Sequence, residues 1–224
     1  MPKKYKRGIC IDVGANIGNH SLFFSNYYDE IHAFEPVSST FKALELNVLI
    51  NGLISKIKTY NIAVSSNTSR LRFFEDHSGD IGRSKIASKD EIKPKDTIEY
   101  IVQTVKGDQY FSGLININII KIDAEGHETE VIKGLSKSIS LNHPIILFEA
   151  NAIDYDSNVM IELKKMGYKY FYSPQIKYYD LKPSILKFPM RILFSSKFIL
   201  VDIDEDFTYL SQLAIASFER LGYK

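Results

Sequence analysis

The sequence contains a single cysteine and no tryptophan across 224 residues. One cysteine excludes an internal disulfide framework and fits a reducing compartment. Cys10 stands inside an apolar run and reads as a small buried hydrophobe rather than a reactive thiol. An excess of charge is also missing. The 28 Lys and Arg face 27 Asp and Glu, for a formal net charge of +1, so no global field points to nucleic acid or to a membrane surface. Long uninterrupted apolar segments are absent too. The basic start MPKKYKRG runs into GICIDV, which Asp12 breaks, so it does not read as a signal peptide. The late stretch ILKFPMRILFSSKFILV carries Lys187, Pro189, Arg191 and Lys197 and is too short and too charged to span a bilayer. Its end, KFILV, reads as a buried strand. The expectation is a cytoplasmic protein with no transmembrane segment and no nucleic-acid partner. No repeat, low-complexity tract or clear linker divides the chain, so residues 1–224 read as a single domain.

What the sequence does hold is alternation. GICIDV is followed by SLFFSNYY, EIHAF by STFKALELNVLIN, IKTYNIAV by a long polar stretch, NIIKID by HETEVIKGL, and PIILFEA by NVMIELKKMG; YKYFYS and KFILV come later. Strands alternating with helices of this length predict a doubly wound α/β fold with a mostly parallel sheet. Near-continuous apolar strands such as NIIKI agree, because parallel strands are covered on both faces. Across residues 65–116 the rhythm changes. LRFFED and IEYIVQTV look like antiparallel additions around a long polar loop, residues 76–96, which is the expected substrate loop. In residues 203–224, Phe207, Leu210, Ala214, Phe218 and Leu221 fall at helical spacing and predict a C-terminal amphipathic helix. That helix packs on the chain's own sheet or, alternatively, forms a homodimer contact.

The first apolar strand leads into a glycine turn, IDVGANIG. Such a turn sets ligand atoms against backbone N–H groups where doubly wound sheets bind nucleotides. A dinucleotide requires G-x-G-x-x-G, but counting from Gly14 the second and third positions are Asn16 and Asn19. The remaining pattern is Asp12, Gly14, Asn16 and Gly18. A carboxylate, a side-chain amide and free N–H groups suit the ammonium, carboxylate and sulfonium of S-adenosylmethionine better than a pyrophosphate. Glu35, in AFEP at the end of the next strand, is placed to accept hydrogen bonds from ribose hydroxyls, a role common to NAD and S-adenosylmethionine sites.

A third stretch, IIKIDAEGHETEVIKGL, delivers Asp123, Glu125 and His127 at the carboxyl end of a buried strand. Together with IDVGANIG, AFEP, the Asn51–Gly52 pair and NIAVSS, in that order, it resembles the FkbM-like family of S-adenosylmethionine-dependent methyltransferases over about Gly8 to Ala150. The resemblance implies a Rossmann-like class I methyltransferase fold with a seven-stranded, mostly parallel sheet. It also implies methyl transfer, typically to a hydroxyl on a sugar or natural-product acceptor. It places Asp12, Gly14, Asn16, Gly18, Glu35 and Asp123 at cofactor positions, with Asp123 and Glu125 lining the reaction side. One departure concerns TVKGDQYF, where Asp108 replaces a usual leucine–aspartate pair only with a shifted loop.

For the base that an alcohol acceptor requires, the sequence offers Asp123, Glu125, His127, Glu149 in LFEAN, and His20. Asp123 is the first choice, because it stands directly at a buried strand end. Glu125 reads equally as catalyst and as helix cap. No ligand spacing predicts a metal site. Two other functions compete: a nicotinamide-dependent oxidoreductase, with Tyr178 and Lys182 as a chance Tyr-x-x-x-Lys pair, and a non-catalytic binding domain on the same scaffold.

Overall fold

Strand β1 (Ile9–Val13) starts the central sheet, and its neighbours follow from alternation along the chain. Helix α1 (Asn19–Phe24) leads to β2 (Glu30–Phe34), and α2 (Ser38–Ile50) leads to β3 (Ile57–Tyr60). After β4 (Ala63–Ser65), β5 (Ser69–Asp76), β6 (Lys85–Ile86), β7 (Thr97–Lys106) and α3 (Gly107–Tyr110), the chain returns to the centre as β8 (Ile117–Ile122). Then come α4 (Glu128–Gly134), α5 (Ser136–Asn142), β9 (Ile145–Glu149), α6 (Asn158–Lys165), β10 (Tyr170–Tyr178), β11 (Ser196–Asp202) and β12 (Leu213–Ser217). The computed structural model describes residues 7–76, 85–87, 91–149, 158–178, 196–202 and 213–221.

The central sheet has eight strands in the order β11-β10-β12-β9-β8-β1-β2-β3. β9, β8, β1, β2 and β3 run parallel, whereas β12 is antiparallel to both of its neighbours and β11 is antiparallel to β10. This is the expected doubly wound sheet with one strand more than seven: KFILV, expected as a strand, pairs along the outer edge of β10 as part of β11, and LAIAS, not expected as one, adds β12. Strand order reverses between β8 and β1, which puts the ligand crevice of such sheets at the carboxyl ends of these two strands.

Both faces are covered, which is why the central strands read as continuous apolar runs. Cys10, Ile31, Ala33 and Ile119 pack under Phe24 of α1 and Leu44 and Val48 of α2. Ile11, Val13, Ile120, Ile122, Ile146 and Phe148 pack on the opposite face under Val131, Ile132, Ile139 and Leu163 of α4, α5 and α6. Each such aliphatic or aromatic side chain removed from water contributes on the order of 1.5–3 kcal/mol. Cys10 is fully buried, as its apolar setting predicted, and burial pushes its thiol up.

Two readings need correction. The C-terminal helix is not formed at residues 213–217: Leu213–Ser217 is strand β12, seated between β9 and β10. The periodic apolar positions mimic a helix, but LAIAS fills a slot in the sheet interior where Ala214 and Ala216 are buried, and these residues form no exposed helical face for a dimer contact. Residues 203–212 and 222–224 lie outside the described residues. The run IKTYNIAV is also not one strand. It divides at Asn61, whose Nδ2 donates to the carbonyls of Glu35 and Pro36, so that β3 stays in the central sheet and β4 joins a second one.

That second sheet, β4-β7-β5-β6, realises the insertion at 65–116. LRFFED and IEYIVQTV pair antiparallel as predicted, from Ser69↔Thr104 to Asp76↔Thr97. Phe73 and Val102 from this sheet pack on Val37. Much of the polar loop at 76–96 lies outside the described residues. Asp108 sits far from any catalytic use: buried on α3, it accepts N–H groups of Lys137 and Ser138 and the Ser138 hydroxyl, and so caps α5.

Candidate active site

A cavity opens at the β1/β8 reversal. Its wall combines Val13, Gly14 and Asn16 from the first turn with Glu35 and Val37 from the end of β2, and Asp123, Glu125 and His127 from the end of β8. Phe73, Glu75 and Ile86 of the second sheet complete it. The insertion is therefore part of the site's wall.

The glycine turn is shaped by steric need. Gly14 has φ +72, and a Cβ there would lie 1.8 Å from the Asp123 carbonyl oxygen, so the turn and the tip of β8 approach as closely as backbone permits. Asn16 also adopts a left-handed conformation, φ 51, and its Oδ1 accepts the Ile17 N–H at 2.7 Å. Asp12 and Gly18 do not line the cavity. Asp12 is fully buried beneath the turn, where Oδ2 accepts the Ser21 hydroxyl at 2.6 Å.

Glu35 ties the glycine turn to the end of β2. Oε1 accepts the Val37 N–H at 2.8 Å and Oε2 accepts the Asn16 N–H at 3.0 Å. Burial pushes its carboxyl up to about 7, against the downward pull of those two N–H groups and of Lys121. A buried carboxyl with lone pairs still open beside a cavity is a ready acceptor for ligand hydroxyls.

At the end of β8 the acids crowd. The β8/β9 register ends at Ile122↔Phe148, so Asp123 and Glu149 are the next residues on neighbouring strands. Glu125, held at φ 50, is pushed up to about 7 by burial first and then by the charges of Asp123, Glu149 and Glu128. Glu149 is raised by burial, with Asp123 adding to it, but it does not line the cavity. The N-cap of α4 is His127, with no side-chain cap; Glu128 in the first turn reaches back instead, its Oε1 accepting the N–H groups of Ala124 and Gly126 in the preceding turn, both at 3.0 Å. Glu125 does not cap the helix, the alternative role that the sequence allowed it. His127 Nε2 lies 2.9 Å from Ser65 Oγ on β4, and burial lowers its pKa, favouring the neutral ring. His20 is exposed on α1, with its ring 6.3 Å from that of Phe24, and lines no part of the cavity.

Two residues escaped the sequence reading. Asn61, by fastening the chain after β2, fixes Glu35 and Pro36 from behind; nothing in NIAV announces this. Lys121 is buried between Asp12, Gly14 and Asp123, and the signal was present in a lysine interrupting the apolar run NIIKI. Tyr168 and Tyr172 are core residues, Tyr168 donating to the Pro144 carbonyl at 2.6 Å. Lys182, of the Tyr-x-x-x-Lys pair, lies outside the described residues. Among the described residues no three His, Cys, Asp or Glu side chains converge to hold a metal ion, and no helix is long and apolar enough to cross a membrane.

A doubly wound sheet with a glycine turn at its reversal point, an acid ending the next strand and carboxylates at the tip of β8 defines a nucleoside-binding α/β protein of the Rossmann-like class. Over residues 12–170 the sequence matches the methyltransferase FkbM domain, and the chain belongs to that family. It is similar to the hexuronic acid methyltransferase AglP of Haloferax volcanii, 27% identical over 159 residues that cover 70% of this chain and 62% of that protein. It is also similar to methyltransferase sdnD of Sordaria araneosa, 30% identical over 155 residues covering 57% and 60% of the two chains. The chain thus spans about three fifths of the length of these curated relatives. The solved structure of methyltransferase FkbM from Methylobacillus flagellatus KT aligns with 80% of this chain and 45% of that one, at 16% identity and a TM-score of 0.47.

Proposed function

We propose that the protein is an S-adenosylmethionine-dependent methyltransferase acting on a hydroxyl of a sugar, glycan or natural-product acceptor. One observation carries this reading: a single cavity gathers the glycine turn, Glu35 and the β8 acids. The donor set fits the cofactor. Glu35, Glu75, Asp123 and Glu125 line the wall with no Lys or Arg among the described residues, which favours a ligand carrying a sulfonium and an ammonium over a pyrophosphate. The family match and the two methyltransferase relatives point the same way, and AglP's hexuronic acid favours a saccharide acceptor.

When bound, S-adenosylmethionine supplies an electrophilic methyl group. The chain's own part is to bind, align and deprotonate. Glu35 takes the ribose hydroxyls on the lone pairs that Val37 and Asn16 leave open. Asn16 and the Gly14 turn hold the amino-acid end. We assign the base to Glu125 rather than to Asp123. A carboxyl near 7 is matched to taking a proton at neutral pH, whereas one oxygen of Asp123 is engaged by Lys121. His127, neutral and aligned by Ser65, orients the acceptor beside Glu125. The second sheet and the 76–96 loop select the acceptor.

Calorimetric titration tests the reading. S-adenosylmethionine and S-adenosylhomocysteine bind in the micromolar range and NAD does not; saturable NAD binding without response to the other two would mark an oxidoreductase.

A further inference from the structure

One buried charge has no part in the reaction above. Lys121 is 5% exposed near the carboxyl end of β8 and does not line the cavity. Across the β1/β8 seam it is the register partner of Asp12, and Asp123 follows two residues later on the same side of the strand. Its Nζ donates to the Gly14 carbonyl at 2.9 Å and lies 3.2 Å from Asp12 Oδ1 and 3.3 Å from Asp123 Oδ2. Only the Gly14 contact is a directed hydrogen bond; the two carboxylate oxygens are ion-pair neighbours, so the buried ammonium is surrounded by the chain's own oxygens. Asp12 Oδ1 is a fully buried oxygen with no directed hydrogen bond, compensated only by the charge on Lys121.

The location gives this cluster its consequence. The parallel ladder between β1 and β8 ends at Val13↔Ile122, with one further backbone bond from the Asp123 N–H to the Val13 carbonyl at 3.1 Å. Beyond it the two chains line opposite parts of the cavity, the glycine turn on one side and the acids on the other. Lys121 reaches both from below, holding one carbonyl of the turn and one oxygen of Asp123.

We propose that Lys121 is a positioning residue: its ammonium locks the Gly14–Gly18 turn to the tip of β8, fixing the spacing between cofactor and acids. The inference rests on the methyltransferase reading of the cavity.

Lys121→Met alone leaves Asp12 buried without a cation, which is strongly destabilising. The comparison is therefore Asp12→Asn against Asp12→Asn/Lys121→Met, where the introduced amide keeps an oxygen for Ser21 and the half-exposed Asp123 is solvated. Amide hydrogen exchange is measured on ligand-free protein, together with melting temperature and calorimetric titration with S-adenosylhomocysteine. The double variant melts within a few degrees of Asp12→Asn. It exchanges faster at residues 14–18 and 123–126 together, and binds S-adenosylhomocysteine roughly tenfold more weakly, as expected when a binding constellation loses its alignment. Unchanged exchange at either stretch, faster exchange spread evenly over the sheet, or unchanged affinity at equal melting temperature overturns the proposal. A wild-type protein that binds no S-adenosylhomocysteine contradicts the methyltransferase reading, and exchange at the two stretches still decides the role of Lys121.

Discussion

Replacing Glu35 by Gln perturbs the acid that ties the glycine turn to the end of β2, and its effect depends on pH in a way the structure specifies. In the free protein the Glu35 carboxyl is raised from its ordinary 4.5 to about 7, chiefly by burial. The stability it contributes is thus fully present below the unfolded value and is lost as pH rises through about 7, a difference of ~3 kcal/mol at full ionisation. Ribose hydroxyls donating to the ionised form pull the value back down. Binding of S-adenosylmethionine therefore releases a proton, and affinity climbs by up to ~tenfold per pH unit between roughly 5 and 7. Glu35→Gln keeps one oxygen but offers an amide to a backbone N–H, so either Val37 or Asn16 loses its acceptor. Loss of the charged acceptor weakens binding by about 1.5–3 kcal/mol at pH 8. Near pH 5.5, where wild-type Glu35 is itself neutral, the gap closes to a few-fold. The assay is calorimetry of both proteins from pH 5.5 to 8, in buffers of contrasting ionisation enthalpy. A constant gap across that range, or no proton release by the wild type, refutes the argument.

Other expectations follow from the same geometry. The wild-type methyl-transfer rate rises with pH through about 7 as Glu125 loses its proton. Glu125→Gln lowers turnover by ~10²–10⁴-fold and removes that rise, with S-adenosylhomocysteine affinity little changed; a surviving rise that disappears in His127→Gln moves the base to the histidine. Gly14→Ala forces a Cβ to within 1.8 Å of the Asp123 carbonyl at φ +72, so calorimetry should find cofactor binding lost, and a folded variant with wild-type affinity contradicts the close approach. Glu128→Ala strips the acceptor from two backbone N–H groups of the turn that precedes α4 and costs about 1–3 kcal/mol of stability in urea unfolding, whereas an unchanged midpoint means water replaces the carboxylate. Exchanging residues 76–96 for those of a relative alters acceptor preference and spares cofactor affinity; loss of S-adenosylmethionine binding instead makes the loop part of the scaffold.

Much of the site was legible because it lies in local patterns. Apolar runs ending in Glu35 and Asp123 specify both the strand and the end that lines the cavity, and the glycine spacing specifies the turn. What sequence could not supply is what non-local pairing decides. LAIAS becomes β12 because the sheet has a place for it between β9 and β10, a fact absent from its own helix-like spacing. Asp12 reads as a ligand contact, yet the register that sets Lys121 opposite it turns it into a buried counter-charge. Glu128 and Glu125 are three residues apart and chemically alike; only the left-handed turn at Glu125 and Gly126 decides which one is tied to the turn's own N–H groups and which lines the cavity.

The central claim is that one cavity, with Glu35 on one side and the β8 acids on the other, is the S-adenosylmethionine site. A crystal structure of the wild-type protein with S-adenosylhomocysteine tests it most directly. The expected complex has ribose hydroxyls within hydrogen-bond distance of the Glu35 carboxylate, the amino-acid end against Gly14 and Asn16, and the sulfur facing Asp123 and Glu125. The nucleoside bound elsewhere, or seated in this cavity with its ribose away from Glu35, contradicts it.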